Sequence, residues 1–200
     1  PLRPRPDGRE FAQYGVGQPL LAVPFYWVGA ALGRMGNDDL WQRMYGNEPF
    51  APTGWGVEPT AAQLAPRWTC SWFNIFLGAA MAVLVYLLCL EVSASPRAST
   101  WAALAYGLGT LAWPHSRTFF TEPLATFFGV LSFYLLLKGA RRAPIMWSAL
   151  AGAVFGYAFL VRGDSLLLAP GLAVLLLGPI ARCCRGRGHN IWSAWLAFAL

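Results

Sequence analysis

The sequence predicts an all-α, polytopic integral membrane protein, and three features of the sequence lead to that prediction. Hydrophobic residues make up 56% of the chain and charged residues only 12%, whereas soluble domains carry about 25% charged residues. The apolar residues fall in long blocks, which is the pattern of membrane-spanning helices. The basic residues gather in alternate connections between those blocks, as they do in helices that cross a membrane back and forth.

Five apolar blocks, and the beginning of a sixth, predict a transmembrane helix bundle over residues 69–200. The first block, residues 69–90, would form a helix about 33 Å long, enough to cross a hydrocarbon core of about 30 Å. The second block is short and contains two glycines, so we expect its span to include flanking residues. We expect the chain, which starts at Pro1 and stops within an apolar run, to be a fragment. The second to sixth predicted spans are residues 100–113, 119–137, 145–161, 165–181 and 191–200.

The basic residues predict which connections are cytoplasmic. They follow the first, third and fifth blocks: Arg97; Lys138, Arg141 and Arg142; Arg182, Arg185 and Arg187. Because cytoplasmic loops carry an excess of Lys and Arg, these three connections are expected in the cytoplasm. Residues 1–68, 114–122 and 161–164 then lie on the extracytoplasmic side. The net charge of +6 therefore reflects topology, and no nucleic-acid partner is expected.

Residues 1–68 are interpreted as an extracytoplasmic loop that carries an interfacial helix near residues 17–33. That apolar stretch has Pro24 in its middle, and an interior proline removes a backbone hydrogen bond and kinks a helix. The three aromatic residues that follow Pro24 suit the headgroup layer of a membrane. A short or broken transmembrane helix is the alternative. Residues 34–67 form a loop rich in Gly, Pro and Trp, long enough to be functional.

Glu122 is the main candidate site residue. It is the only acidic residue between Glu91 and Asp164, and a charge in the membrane costs ~2.5–3.5 kcal/mol at a helix centre and less near the interface. One interpretation is a carboxylate in the first turn of a helix, with Pro123 also at an early position. The other is an acid that faces a polar cavity, where it binds a metal or holds an acceptor.

Three basic residues lie on the same predicted side as Glu122. Arg117 and His115 could contact a phosphate, since arginine binds phosphate with two parallel hydrogen bonds. Their alternative role is to extend to the membrane interface. Arg162 and Asp164 frame the turn VRGDS, either as a local ion pair or with Arg162 as a second cation for an anionic headgroup. No CxxC, HExxH, GxSxG or P-loop pattern occurs, so soluble metalloproteases, hydrolases and NTPases have no support.

The order of these segments resembles polyprenyl-phosphate-sugar-dependent glycosyltransferases of the GT-C fold. An extracytoplasmic YGVGQPLLAVPFYWVGA is followed by a span, a short cytoplasmic turn and another span. Then come HSRTFFTEPLATFFGVLSFYLLLKG and GYAFLVRGDSLLLAPGLAVLL. This order is similar to the bacterial branch related to protein mannosyltransferases and aminoarabinose transferases, the glycosyltransferase family 39 type. The resemblance covers roughly residues 8–180.

The resemblance implies an enzyme of the bacterial inner membrane that moves a sugar from a polyprenyl-phosphate donor to an extracytoplasmic lipid, glycan or protein. Glu122 would serve the acceptor or a divalent metal, and Arg162 would meet the lipid-linked phosphate. The main catalytic aspartate of such an enzyme is expected upstream of Pro1 and is therefore absent from this sequence. A transporter or lipid flippase is the first alternative, and a non-catalytic membrane scaffold is the second. Three further residues would bind substrate: Arg117, His115 and Gln18.

The predicted topology can be tested by thiol labelling. Single cysteines introduced at Ser116 and Ser95 should react with a membrane-impermeant reagent from opposite sides of the membrane, because one span lies between them. The four native cysteines are first replaced by serine, and that background should not label. Labelling of both introduced cysteines from the cytoplasm would contradict the proposed alternation of spans.

Overall fold

The computed structural model describes residues 2–4, 10–12, 15–35, 41, 43, 61–92, 95–115, 119–139 and 144–176. Within these residues the chain is helical apart from two short strands that pair antiparallel with Leu2 opposite Ala12. The prediction of an all-α membrane protein is confirmed, although the strand pair was not predicted. The elements are β1 (Leu2–Pro4), β2 (Glu10–Ala12), α1 (Gly17–Met35), α2 (Ala61–Glu91), α3 (Pro96–Gly109), α4 (Ala112–His115), α5 (Glu122–Gly139), α6 (Pro144–Val161), a 3₁₀ turn (Gly163–Leu168) and α7 (169–176).

Helix α2 contains the one segment of the described chain that is both long and apolar enough to cross a membrane, Leu64–Glu91. The helix begins eight residues before the predicted span of 69–90. Tertiary contacts account for the extra turns: Leu64 and Ala65 are buried, and Trp68 packs edge-on against Trp41 with ring centroids 5.9 Å apart. Apolar periodicity alone does not reveal such contacts, because they involve a distant part of the chain.

The second predicted span, 100–113, is divided between two helices. Helix α3 starts earlier, at Pro96, because the Ser95 hydroxyl accepts a hydrogen bond from the Ala98 amide at 3.2 Å and caps the helix. It ends at Gly109 because Thr110 is extended, and the single turn of α4 follows. Fourteen residues of α3 measure only about 21 Å as a helix. The expectation that this span needs flanking residues is consistent with that length.

The later helices agree more closely with the predicted spans. Helix α5 extends over Glu122–Gly139, where the predicted span was 119–137. Helix α6 extends over Pro144–Val161, where the predicted span was 145–161. The fifth predicted span, 165–181, starts as the 3₁₀ turn and becomes helical at residue 169. Its last residues, 177–181, and the sixth predicted span lie outside the described residues.

Two apolar clusters hold these helices together. One joins α5, α6 and α7, and Ser132 Oγ adds a hydrogen bond across it to the Ala151 carbonyl at 3.1 Å. The other joins α2, α5 and the end of α6, with Phe25 of α1 against its edge. The second cluster determines where the candidate site lies, because its members Leu124 and Val161 come just after Glu122 and just before Arg162. Its buried residues are Phe73, Leu77, Leu124, Ala125 and Val161.

Helix α1 lies lengthwise along the first half of α2. Gly29 touches Ala65 and Thr69, whereas Phe25 packs edge-on against Phe73 with ring centroids 5.6 Å apart. Residue numbers therefore fall along α1 as they rise along α2, and the helices run antiparallel. The helix is continuous through Pro24. Its interfacial position stays a prediction, and α1 can lie flat in the interface only if the first turns of α2 do so too.

The first residues of α1 are fixed to the end of α6. The Tyr157 hydroxyl donates a hydrogen bond to the Gly17 carbonyl at 2.8 Å. A side chain at Gly17 would meet the Val161 backbone nitrogen at 3.0 Å, closer than a Cβ can pack without a shift. Glycine therefore permits the close approach of α1 to the residue that precedes Arg162.

The packing predicts opposite effects for two glycine substitutions. In Gly29→Ala the new methyl group would overlap Thr69 Oγ1 and the Pro66 backbone and lie 2.8 Å from the Ala65 oxygen, so we expect a loss of about 1–3 kcal/mol from overpacking. Gly156→Ala is the matched control in α6, because no atom of the described residues lies within 4 Å of its added Cβ. It should raise stability by about 0.5–1 kcal/mol. Melting temperatures in detergent measure both, and an unchanged value for Gly29→Ala would contradict the close α1–α2 contact.

Candidate active site

Three charged side chains meet where α5 begins and α6 ends. Arg162 Nη1 forms an ion pair with Glu122 Oε1. The same guanidinium makes two bonds to Asp164, Nε to Oδ1 at 3.0 Å and Nη2 to Oδ2 at 2.8 Å. Arg162 therefore forms the local ion pair of the first interpretation and also reaches Glu122, whereas its role as a cation for an anionic headgroup stays a prediction.

The backbone before Glu122 is fixed by neighbouring groups. Glu122 is the first residue of α5, and the Ala125 amide donates to the Thr121 carbonyl at 3.0 Å to start the helix. Asn74 of α2 donates from Nδ2 to the Phe120 carbonyl at 3.2 Å. A carboxylate in the first turn also interacts favourably with the helix dipole. Glu122 thus lies in the first turn of a helix, as one interpretation of the sequence expected, and its side chain also contacts Arg162.

The backbone around Arg162 is fixed by the 3₁₀ turn. Arg162 is extended, with φ −150° and ψ 125°, and its amide still donates to the Ala158 carbonyl at 2.9 Å. The buried Ser165 closes the turn, because its amide donates to the Arg162 carbonyl at 3.1 Å and its hydroxyl to the Ala158 carbonyl at 3.2 Å. The guanidinium is therefore presented from a well-anchored turn.

The electrostatics of the cluster favour a permanently charged arginine. Hydrogen bonding to Asp164 raises the pKa of the Arg162 guanidinium, partial burial lowers it, and the charges of Asp164 and Glu122 raise it further. The side chains of Arg162, Glu122 and Asp164 are 30%, 47% and 54% exposed. Ion pairs exposed to this degree add only about 0–1 kcal/mol to stability, so folding gains little from the cluster.

Two cavities adjoin Glu122. The larger cavity, about 670 Å³, has Glu122, Arg162 and Asp164 on its wall. The rest of its lining is mainly apolar and includes Leu88, Val130, Phe133, Leu167, Leu168 and Leu172. The smaller cavity, about 400 Å³, lies between α2, α3, α4 and α5. Its polar lining consists of Asn74, Tyr106, Thr110, His115, Glu122 and Thr126.

The structure brings some of the predicted site residues together and leaves others apart. Glu122 and Arg162 are in contact, and His115 lines the smaller cavity with its ring 6.0 Å from that of Phe120. Gln18 is only 1% exposed and lines neither cavity, and its amide atoms have no hydrogen-bond partner within the described part of the chain. Arg117 lies outside the described residues. The substrate-binding roles of Arg162, His115, Gln18 and Arg117 stay predictions.

The main catalytic aspartate is a separate part of the predicted site. It was expected upstream of Pro1, and the sequence contains no position before that residue. Pro1 itself also lies outside the described residues. The aspartate therefore stays a prediction, and the site described here consists of groups that come from α5, α6 and the turn after α6.

Several polar residues of the smaller cavity were not predicted from the sequence. Asn74 carried a usable signal, since it is the only side-chain amide within the predicted span 69–90, and polar residues at membrane depth commonly face a cavity. Tyr106 lies near the end of α3, and Thr110 follows the helix and donates from its hydroxyl to the Tyr106 carbonyl at 2.6 Å. Hydroxyl-bearing residues are common in membrane helices, so these two carried no distinctive signal.

The described residues do not by themselves complete a metal site. No three His, Cys, Asp or Glu side chains in that part of the chain are grouped so that they could hold a metal ion. The cation next to Glu122 is the Arg162 guanidinium. Metal binding at Glu122 therefore stays a prediction, and the chemistry below is derived from the protein groups.

The hydrogen bond from Asn74 predicts a measurable contribution to stability. Asn74→Ala leaves the Phe120 carbonyl without its donor, and we expect a loss of about 1–3 kcal/mol, the range for an unpaired buried polar group. Thr100→Ala is the control, because its exposed hydroxyl donates to the Pro96 carbonyl within the same helix and has no other partner among the described residues. It should change stability by less than about 0.5 kcal/mol. Equal melting temperatures for the two variants in detergent would show that Asn74 does not hold the start of α5.

Comparison with known proteins places this arrangement in a family. No curated protein and no solved structure matches the chain. A family model described as dolichyl-phosphate-mannose-protein mannosyltransferase matches residues 45–181, which is more than half of the chain. The matched region includes both cavities and the ion cluster formed by Glu122, Arg162 and Asp164. The chain therefore belongs to the dolichyl-phosphate-mannose-protein mannosyltransferase family, a family of integral membrane glycosyltransferases that use polyprenyl-phosphate sugar donors.

Proposed function

We propose that this chain contributes the donor-phosphate and acceptor contacts of a glycosyltransferase that moves a sugar from a polyprenyl phosphate to an extracytoplasmic hydroxyl. The observation that carries the proposal is the position of Glu122. Its carboxylate touches Arg162 on the wall of the larger cavity and also lines the smaller one. A cation and an acid are therefore adjacent, and the acid reaches both the larger cavity and a smaller one that carries several uncharged polar side chains.

The larger cavity suits the donor. Its lining is apolar away from the ion cluster, as a polyprenyl chain requires, and Arg162 stands where the phosphate at the head of that chain would lie. Arginine binds phosphate oxygens through paired hydrogen bonds. As the sugar leaves, negative charge grows on the phosphate, and a guanidinium held in position by Asp164 stabilises that charge.

The smaller cavity suits the hydroxyl-bearing partner. Its polar side chains come from four helices and surround one face of Glu122. In the proposed reaction an acceptor oxygen bonds to the anomeric carbon of the sugar as the bond from that carbon to the phosphate oxygen breaks. The phosphate keeps the electron pair. Glu122 accepts the hydrogen bond of the acceptor hydroxyl, which orients it and increases its nucleophilicity, and the Glu122 carboxylate takes the hydroxyl proton as the new bond forms.

The acceptor and the cellular location belong to the same proposal. We propose a lipid, glycan or protein acceptor on the extracytoplasmic side of a bacterial inner membrane, because the positive-inside pattern assigns Glu122 and Arg162 to that side. A transporter or lipid flippase has no specific observation in its favour. The family match and the adjacent acid and cation both support group transfer instead.

Glu122→Gln separates a catalytic role from a structural one. The amide keeps a hydrogen-bonding side chain at the helix start, so the loss of stability should not exceed the ~0.5–2 kcal/mol of a lost cap. Turnover should fall by about 10²-fold or more, the usual scale of general acid–base assistance. The assay is sugar transfer from a polyprenyl-phosphate donor by the full-length protein in nanodiscs, with melting temperature measured in parallel.

Glu91→Gln is the matched control for that substitution. Glu91 ends α2, on the side of the membrane opposite to Glu122 in the predicted topology. The same change of carboxylate to amide there should leave turnover within about twofold, because surface substitutions away from a site have small effects. Full activity in a stable Glu122→Gln variant would overturn the assignment of Glu122 to the active site.

A further inference from the structure

Arg162 makes more contacts with one carboxylate of the ion cluster than with the other. Asp164 binds two of the three guanidinium nitrogens of Arg162, Nε and Nη2, and lies on the same turn two residues away. Glu122 binds only Nη1, from a different helix, and the side chains of both acids are about half exposed. Asp164 is therefore the firmly held partner, and Glu122 is the partner that can leave with the loss of one contact.

The formal charges show why one partner has to leave. Two carboxylates and one guanidinium sum to −1, so an approaching phosphate would meet a site that is already negative overall. Like charges within a few ångströms of each other repel. A phosphodiester can therefore take a place on Arg162 only if it displaces a carboxylate, and the Nη1 position held by Glu122 is the one that requires the fewest bonds to break.

We infer that the donor phosphate and Glu122 exchange at Nη1 of Arg162, while Asp164 acts as a positioning residue that holds the guanidinium in place. This inference rests on the proposed function. Glu122 stays covalently fixed at the start of α5, and it also lines the smaller cavity. When the phosphate takes Nη1, the carboxylate turns to that cavity and meets the acceptor hydroxyl. Donor binding thus makes the carboxylate available.

The exchange predicts opposite effects of the two acids on phosphate affinity. Removal of the competing charge in Glu122→Gln should tighten binding of a phosphate probe by about fivefold or more, the lower end of coupling between linked sites. Turnover in the same variant falls. Asp164→Asn should weaken binding by a similar factor, because the guanidinium loses its two-point anchor and is free to stay on Glu122. Purely structural roles would weaken binding in both variants.

The experiment measures the dissociation constant of farnesyl phosphate, a short water-soluble polyprenyl phosphate, for the full-length protein in nanodiscs. Wild type is compared with Glu122→Gln, Asp164→Asn and Arg162→Ala, and Glu91→Gln serves as the charge-matched control with an unchanged constant. Glu122→Ala, which removes the same charge, replaces Glu122→Gln if that variant fails to fold. Inorganic phosphate in a second arm distinguishes recognition of the phosphate alone from recognition of the phosphate with its chain.

The possible outcomes separate this inference from the proposed function. If Arg162→Ala leaves the affinity for farnesyl phosphate unchanged, Arg162 is not the phosphate site and the proposed function fails there. If Arg162→Ala abolishes binding but loss of the Glu122 charge leaves it unchanged, the phosphate site stands and the exchange is wrong. Tighter binding of farnesyl phosphate by Asp164→Asn would show that Asp164 acts only through its charge, and would contradict its role as a positioning residue. In turnover assays, Asp164→Asn should raise the KM for the donor more than it lowers kcat.

Discussion

Arg162 and Glu122 lie 40 positions apart in the chain, and they meet because the residues beside them share one buried cluster. Val161 and Leu124 pack together with Phe73 and Leu77 of α2, so the end of α6 and the start of α5 converge at one level of the bundle. Apolar packing brings the two charges within reach of each other, and the ion pair itself adds little stability. Every feature of the candidate site follows from that convergence, including the two cavities on either side of Glu122.

The parts predicted well from the sequence are those that depend on local pattern. Long apolar blocks determine where α5 and α6 lie to within about three residues of the predicted spans, and the two outer turns place Glu122 and Arg162 on one surface. The parts that were missed depend on contacts between distant residues. Trp41 extends α2 beyond its apolar block, Ser165 converts a predicted helix start into a 3₁₀ turn, and Asn74 enters the site from another helix.

The same distinction holds within the site. The VRGDS sequence indicated either a local ion pair between Arg162 and Asp164 or a cation for an anionic headgroup, but it did not indicate a contact between Arg162 and Glu122. Only the geometry shows that one guanidinium makes both contacts. Gln18 illustrates the opposite case: a polar residue in a recognisable segment proves to be buried away from both cavities. Residue type alone does not specify which way a side chain faces.

The attachment of α1 to α6 has a mechanical consequence. Gly17 accepts the Tyr157 hydrogen bond and lies against Val161, the residue that immediately precedes Arg162. Helix α1 also exposes large apolar side chains, among them Tyr26, Trp27 and Val28, over much of its surface. A shift of α1 as a rigid body therefore pulls on the turn that carries the guanidinium. The position of α1 and the orientation of the Arg162 guanidinium are thus mechanically coupled.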